Sequence, residues 1–254
     1  MMKLEICAGN LMSARAAIAG GADRLELCCS LETGGLTPSM GLLHAVRRLT
    51  ALPLHVLIRE RNGDFLYDDA EKAVMLDDIR RAANAGADGV VVGGLTAEGR
   101  IDTHFAMACR QAAGGLSLTF HRAFDLAAQP HEALEMLVDC GCDRVLTSGQ
   151  AATAEAGIGL LRQLHVQAQG RIIVLPGCGV NARNARRILL ETGCRELHAS
   201  AKTMAESRMS YRRSGAQMGT AEADDYHWMA TCAEKVREIK HMMNKQVSDW
   251  FSKD

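Results

Sequence analysis

Two acids and two thiols recur at the same spacing near the start of this chain. "LEICAG" sets Glu5 and Cys7 two residues apart, and "RLELCC" does the same with Glu26 and Cys28. Residues i and i+2 of a strand share a face, so each triplet presents a carboxylate and a thiol to one side. If the two strands are neighbours, about 4.8 Å apart, like groups can meet. Two thiols at that reach suit a soft ion such as Cu(I). They equally suit a reversible disulfide, at a Cα separation of about 4.4–6.8 Å, or simple packing as small apolar groups.

The same parity directs Arg59 with His55, His121 with Thr119, and His198 with Ser200 to one interior. Glu5, Glu26, Arg59 and His121 are the catalytic candidates if the chain is an enzyme. Arg59 is also a candidate partner for the two carboxylates. "TFHRAFD" is the densest chemical stretch. His121 there is a candidate acid or base near neutral pH, while Arg122 and Asp125 either bind a ligand or pair to order the strand end. "VLPGCGVNARN" leads a strand through Gly177 and Gly179 toward a helix, where backbone amides can hold an anion. Arg61, Asp125, Ser148 of "SGQ", His198, Ser200 and Lys202 complete the candidate substrate- or anion-binding set. The structural alternative for the whole group is an ion-pair network that fills a barrel.

The elements that must position these residues are announced by a repeat. "GADRLEL", "GADGVVV", "GCDRVLT" and "GCRELHA" begin at Gly21, Gly86, Gly141 and Gly193. Each follows an amphipathic run and precedes a short apolar one, as a helix-capping glycine before a buried strand does. Strands of a second kind lie between them: "LHVLIR", "LSLTFHR" and "RIIVLPG", with "LEICAG" at the start. Eight strands alternating with helices in about 250 residues predict a single-domain α/β fold, a (β/α)8 TIM-type barrel spanning 1–254. A doubly wound open sheet is the competing arrangement; the count of eight and the regular spacing favour the barrel. Asn10, Thr103 and Asn181 are expected helix N-caps, and Thr37-Pro38 pairs a cap with a first-turn proline. Residues 203–221 read as an extended loop and 222–250 as a long C-terminal helix. Connections before the strands are bland, and those after them are rich in polar groups, which places the site at the strand C-terminal ends.

Composition narrows the function classes. The net charge of -1 argues against a nucleic-acid binder or a partner for acidic membranes. No apolar run approaches the roughly 20 residues of a bilayer span. Nine scattered cysteines in a chain of this length suit a reducing, cytoplasmic compartment better than a disulfide scaffold. A homo-oligomer is compatible with the sequence, which offers no specific interface.

"GADRLELC", "GGLTPS", "IRERNGDFLY", "TFHRAFD", "LTSGQ" and the "GCGV" turn, in this order, resemble the CutC copper-homeostasis family from about Glu5 to Arg212. The resemblance implies a cytoplasmic barrel associated with copper tolerance and a proposed Cu(I) site carried by Cys7 and Cys28. It also implies a polar interior including Glu5, Glu26, Arg59, His121 and His198. The chain departs from the family pattern at Glu60, Asn62 and Arg213. Two functions are therefore expected: Cu(I) binding through paired cysteines, or metal-independent catalysis on a small carbonyl or sugar metabolite, phosphorylated or not. The partner is accordingly a copper ion or a small molecule.

Overall fold

A computed structural model describes residues 2–213, 215, 218 and 224–251, with the side chains of 246–251 left aside. Eight parallel strands form the inner ring: β1 Lys3–Ala8, β2 Arg24–Leu27, β3 Leu54–Leu57, β4 Gly89–Val92, β5 Ser117–Phe120, β6 Arg144–Thr147, β7 Ile173–Pro176 and β8 Glu196–Ala199. Each ladder joins strands adjacent in sequence, and β1 also pairs with β8. The ring is nearly closed: β7 and β8 stand side by side without a ladder. The outer layer is α1 Leu11–Ala19, α2 Met40–Arg47, α3 Asp69–Asn84, α4 Thr103–Ala113, α5 Pro130–Asp139, α6 Ile158–Ala168, α7 Ala185–Thr192 and α8 Ala233–Phe251. This is the expected TIM-type barrel. No helix among the described residues is long and apolar enough to cross a membrane.

The repeat has a physical explanation. Gly21, Gly86, Gly141 and Gly193 all have positive φ, between 73° and 86°, at the helix exits. The aspartate two residues on does a second job. Asp23, Asp88 and Asp143 accept amides at the first or second residue of the preceding strands, from Leu4, Leu54 and Leu118, at 2.7–2.8 Å. Each copy thus ends a helix, ties down the strand before it and starts the next. In the fourth copy Arg195 stands in the aspartate's place, and its carbonyl accepts from the amide of Lys3 on β1 rather than from the strand before it.

Helix starts lie close to the expected caps. Asn10 accepts from the Ser13 amide as expected. The caps of α2, α4 and α7 are Ser39, Asp102 and Asn184 rather than Thr37, Thr103 and Asn181. Several adjacent polar residues compete at each start: Ser39 and Asp102 accept from the Leu42 and Phe105 amides, while Asn184 accepts from the Asn181 amide instead.

The region after β8 differs from expectation. A strand β9 (Lys202–Glu206) pairs antiparallel with β10 (His227–Thr231), so 203–206 are not loop. The helix starts at Ala233, not at 222. Residues 214, 216, 217 and 219–223 of these two segments lie outside the described residues. The α8 helix packs on α1 and α7. Its approach to α1 is close: a β-carbon on Gly20 would lie 2.5 Å from the Val236 side chain.

The outside of the ring is an aliphatic core of Leu, Ile, Val and Ala against the helices. Inside, the floor is ionic. The Arg24 guanidinium binds Glu5 through Nε and Glu196 Oε2 at 2.7 Å through Nη2. Arg144 reaches the same Glu196 oxygen at 3.0 Å and Ser117 Oγ at 2.6 Å. Glu5 and Arg24 are 1% and 3% exposed. Removing one member of such a pair strands its partner's charge away from water. Arg24→Met is therefore expected to lower the unfolding free energy by about 3–5 kcal/mol in urea at pH 7. A loss under about 1 kcal/mol would mean that Glu5 finds its compensation elsewhere.

Candidate functional site

Strand parity sorted the sides as expected. Glu5 and Cys7 lie on the inner face of β1, with Arg24 and Glu26 on the inner face of β2, all buried. The register was not foreseen. Glu5 stands opposite Arg24, and Cys7 opposite Glu26. Barrel strands are staggered, so the two matched triplets are offset by two residues and like groups do not face each other. The partner of Glu5 is accordingly Arg24 rather than Arg59. Arg24 shares the strand face of Glu26, which is the signal that sequence reasoning passed over.

Above the floor, Glu5 Oε1 accepts from His198 Nδ1 at 2.7 Å, and His55 Nδ1 lies 3.7 Å from Oε2. Burial pushes the Glu5 carboxyl up, but Arg24, then His198, outweigh it and hold the group far below the usual carboxylate range. Glu26 lacks such a guanidinium contact. Burial raises it to about 7, with His198 opposing and Glu5 reinforcing the shift. Burial also works against a charged His198, but the negative fields of Glu26 and Cys7 and the bond to Glu5 prevail and hold it well above its ordinary value. His198 is thus an imidazolium between two acids. His121 and His55 go the other way: burial lowers them to about 3 and about 4, with Arg59 adding to the shift at His121.

Cys7, Glu26, Arg59, Phe65, His121 and His198 share a cavity of about 490 Å³ at the strand C-terminal ends. Three buried polar atoms of residues in its lining have no partner: Glu26 Oε2, His121 Nε2 and Arg59 Nε. His121 Nδ1 accepts from the Ala123 amide at 3.1 Å, so in the neutral ring Nε2 carries the proton. His121 is therefore a hydrogen-bond donor, not the acid or base near neutral pH that the sequence suggested. The imidazole fits because glycines stand at the first residue of β4 and just past its end. A β-carbon on Gly93 would lie 2.2 Å from the His121 ring, and one on Gly89 would lie 2.6 Å from that of His55. These glycines were legible as close-approach sites but went unread.

The remaining candidates divide. Arg59 borders the cavity, but its fork is engaged: it donates to the carbonyls of Thr33, Gly35 and Gly63 at 2.9–3.1 Å and stacks on Phe65. It clasps two loops and supplies positive charge. Arg61 turns away to Glu71, Asp64 and the Tyr67 ring, so it is not an anion ligand here. Asp125 borders the cavity but is occupied by Arg122 Nε at 2.8 Å, Thr147 Oγ1 and the Ser148 amide and hydroxyl. The loop-ordering role wins for Asp125 and for Ser148, which is fully buried. Gly177 is a packing glycine, because a β-carbon there would lie 2.5 Å from Leu146 and 3.3 Å from His198. Gly179, Ser200 and Lys202 border both the main cavity and an adjoining recess of about 520 Å³.

The two thiols part company as well. Cys7 lies in the cavity wall. Cys28 points inward but is sealed beneath Leu57, Val91 and Leu31, its thiol directed at the Ala8 carbonyl. Burial pushes its pKa well up, away from the thiolate that a soft metal requires. Among the described residues, the group whose ligand atoms converge within 4.8 Å is Glu5, Glu26 and His198, without a sulfur.

The raised Glu26 has a consequence for stability. Unfolded, its carboxyl ionises near 4.3; folded, it keeps its proton to about 7. The native state then binds more protons across that window, so this group makes stability fall as pH rises. Glu26→Gln removes the slope. Its stability relative to the parent chain should grow by about 1–3 kcal/mol from pH 4.5 to 7.5. Urea unfolding at four pH values reads this directly, and a flat difference would contradict it.

Comparison with known proteins places this architecture. The CutC family profile matches residues 2–203. A Bacteroides thetaiotaomicron protein named family protein CutC is 50% identical over 92% of this chain and 95% of its own. The crystal structure of the putative copper homeostasis protein CutC from Streptococcus agalactiae superposes with a TM-score of 0.75 at 33% identity, covering 79% of this chain and 99% of that one. Thiamine phosphate pyrophosphorylase from Pyrococcus furiosus, with a TM-score of 0.60 and 16% identity over 97% of each chain, shares the fold alone. With the family profile covering residues 2–203 and a relative half identical along nearly its whole length, this chain is a member of the CutC family.

Proposed function

We propose that this chain is a barrel enzyme that moves a proton on a small anionic carbonyl metabolite, in the copper-homeostasis setting named for its Streptococcus agalactiae relative. One observation carries the reading: Glu26 is buried, has a free Oε2 in the cavity lining and is raised to about 7. A general acid or base works best with its pKa near the operating pH. Glu26 takes the proton next to the carbonyl. His121, neutral with Nε2–H unpartnered, donates to the carbonyl oxygen on which charge develops, as a pre-aimed donor in a dry site can. The positive charges of His198, Arg59 and Lys202 favour an anionic substrate, and the recess by Gly179, Ser200 and Lys202 gives room for a phosphate or carboxylate tail. A reducing, cytoplasmic compartment suits its nine unpaired cysteines.

Direct Cu(I) binding is the second reading, favoured by the relative's name and by the presence of Cys7 in the cavity wall. The residues do not fit a two-thiolate seat, because Cys28 is sealed behind Leu57 and held in the thiol form. The carboxylates and the imidazolium beside Cys7 are hard or protonated groups, poor companions for a soft ion. On this basis a Cys7→Ser, Cys28→Ser double variant is expected to keep its Cu(I) affinity within about twofold in an anaerobic chelator competition. A hundredfold loss would restore the paired site.

The enzyme reading is tested with a panel of small carbonyl metabolites, phosphorylated and not. Ligands are found by thermal shift, and exchange of the proton next to the carbonyl is followed by NMR in D2O. Glu26→Gln is expected to keep the thermal shift and lose exchange by about 10²-fold or more. In the parent chain, exchange should rise with pH through about 7 as the Glu26 carboxylate forms. Exchange undiminished in Glu26→Gln, or no ligand in the panel, overturns the reading.

A further inference from the structure

The acid–base reading leaves Cys7 and the bonded groups behind it without a task. Glu5 and His198 are direct partners across the β1–β8 ladder, and Glu5 Oε1 accepts from His198 Nδ1 at 2.7 Å. That leaves Nε2 free of the carboxylate, and Cys7 stands two residues beyond Glu5 on the same face of β1, in the cavity wall it shares with His198. Glu5 is itself locked by Arg24. Cys7 has no disulfide partner and lies in the cavity wall beside His198. Carboxylate, imidazole and thiol thus stand in the order orienter, base and nucleophile, the arrangement that activates a sulfur for covalent chemistry.

We propose that Cys7 is a nucleophile, activated by His198 with Glu5 as its orienting carboxylate, and that it adds to the carbonyl carbon of a small aldehyde. The Cys7 thiolate forms a bond to that carbon. The π pair of the carbonyl moves to its oxygen, which takes the Nε2 proton of the imidazolium. The product is a hemithioacetal on Cys7 with a neutral His198, and no oxidant, reductant or second substrate is consumed. The carbonyl class is taken from the acid–base reading, and the cavity is shared with it. Around Cys7 stand Glu26 and Cys28 from β2, His198 from β8 and Glu5 on its own strand. Glu26 holds its proton below about 7, so in that range it adds no negative charge against the thiolate. With Glu26 protonated, the charge on His198 rests on its bond to Glu5 and on the field of Cys7 itself.

Reactivity tests this without a substrate. Cys29, Cys178 and Cys232 are all more exposed than buried Cys7, so accessibility alone would label them first. Limited iodoacetamide treatment at pH 6.5, read by peptide mass spectrometry, is expected to label Cys7 ahead of these three. Its rate should depend less on pH than the rates of the other three, as a thiol activated by a neighbouring imidazole requires. His198→Gln should slow Cys7 labelling at least tenfold and leave the other three unchanged. If that variant does not fold, the pH profile of the parent chain decides alone. A 13C-labelled small aldehyde should give a hemithioacetal carbon signal that Cys7→Ser abolishes. Cys7 labelling slower than Cys178, an ordinary thiol pH profile, or no adduct signal in the parent chain overturns the proposal. Proton exchange by Glu26 is measured separately and stands or falls on its own.

Discussion

A carboxylate stripped of water inside the ring is the constraint from which the rest of the site follows. Glu5 is 1% exposed, and burial of that degree is tolerable only with full compensation. Arg24 supplies the first share and His198 the second. Once Arg24 is spent on Glu5 and Glu196, nothing as strong is left for Glu26, which stays protonated up to about 7. Once His198 is engaged as a cation, the ring faces Cys7 as a proton-bearing partner. Three states of ionisation in the mouth are thus set by one unavoidable pairing beneath it.

The neutral histidines obey the complementary rule. His121 is buried beside Arg59, and an added positive charge there has no counter-ion. Glycines at the start of β4 and just past its end let the His55 and His121 rings lie against the backbone, where they stay dry. The barrel therefore holds one imidazolium and two uncharged rings at short range. The difference among them comes from how fully each is compensated: His198 is bonded to Glu5 at 2.7 Å, His55 stands 3.7 Å from it, and His121 faces Arg59.

Much of this was legible beforehand. Eight strands, their parity and the chemical asymmetry of the two ends follow from hydrophobic period and capping glycines, both local signals. The inward direction of Glu5, Cys7 and Glu26 came from that parity. The stagger between β1 and β2 did not, because it is a property of ring closure and no short window contains it. That is why Cys7 meets Glu26 and Cys28 does not join it. The engagements of Arg61 and Asp125 were hidden for a related reason: an ionisable residue at a strand end binds loop donors and acceptors close by, and only the folded chain reveals those neighbours. The pairing of β9 with β10 escaped because these strands are largely exposed, so they lack the apolar run of a buried strand.

The aspartates of the repeat acquire a different meaning in this light. Asp23, Asp88 and Asp143 each hold an amide at the first or second residue of an odd-numbered strand, and those three strands lead upward to Cys7, Arg59 and His121. A slip of one residue would move a strand by about 3.3 Å and turn its side chains to the opposite face. The far end of the cylinder therefore works as a surveyor's datum. The elevation at which thiol, guanidinium and imidazole emerge is measured from carboxylates that no ligand in the mouth ever touches.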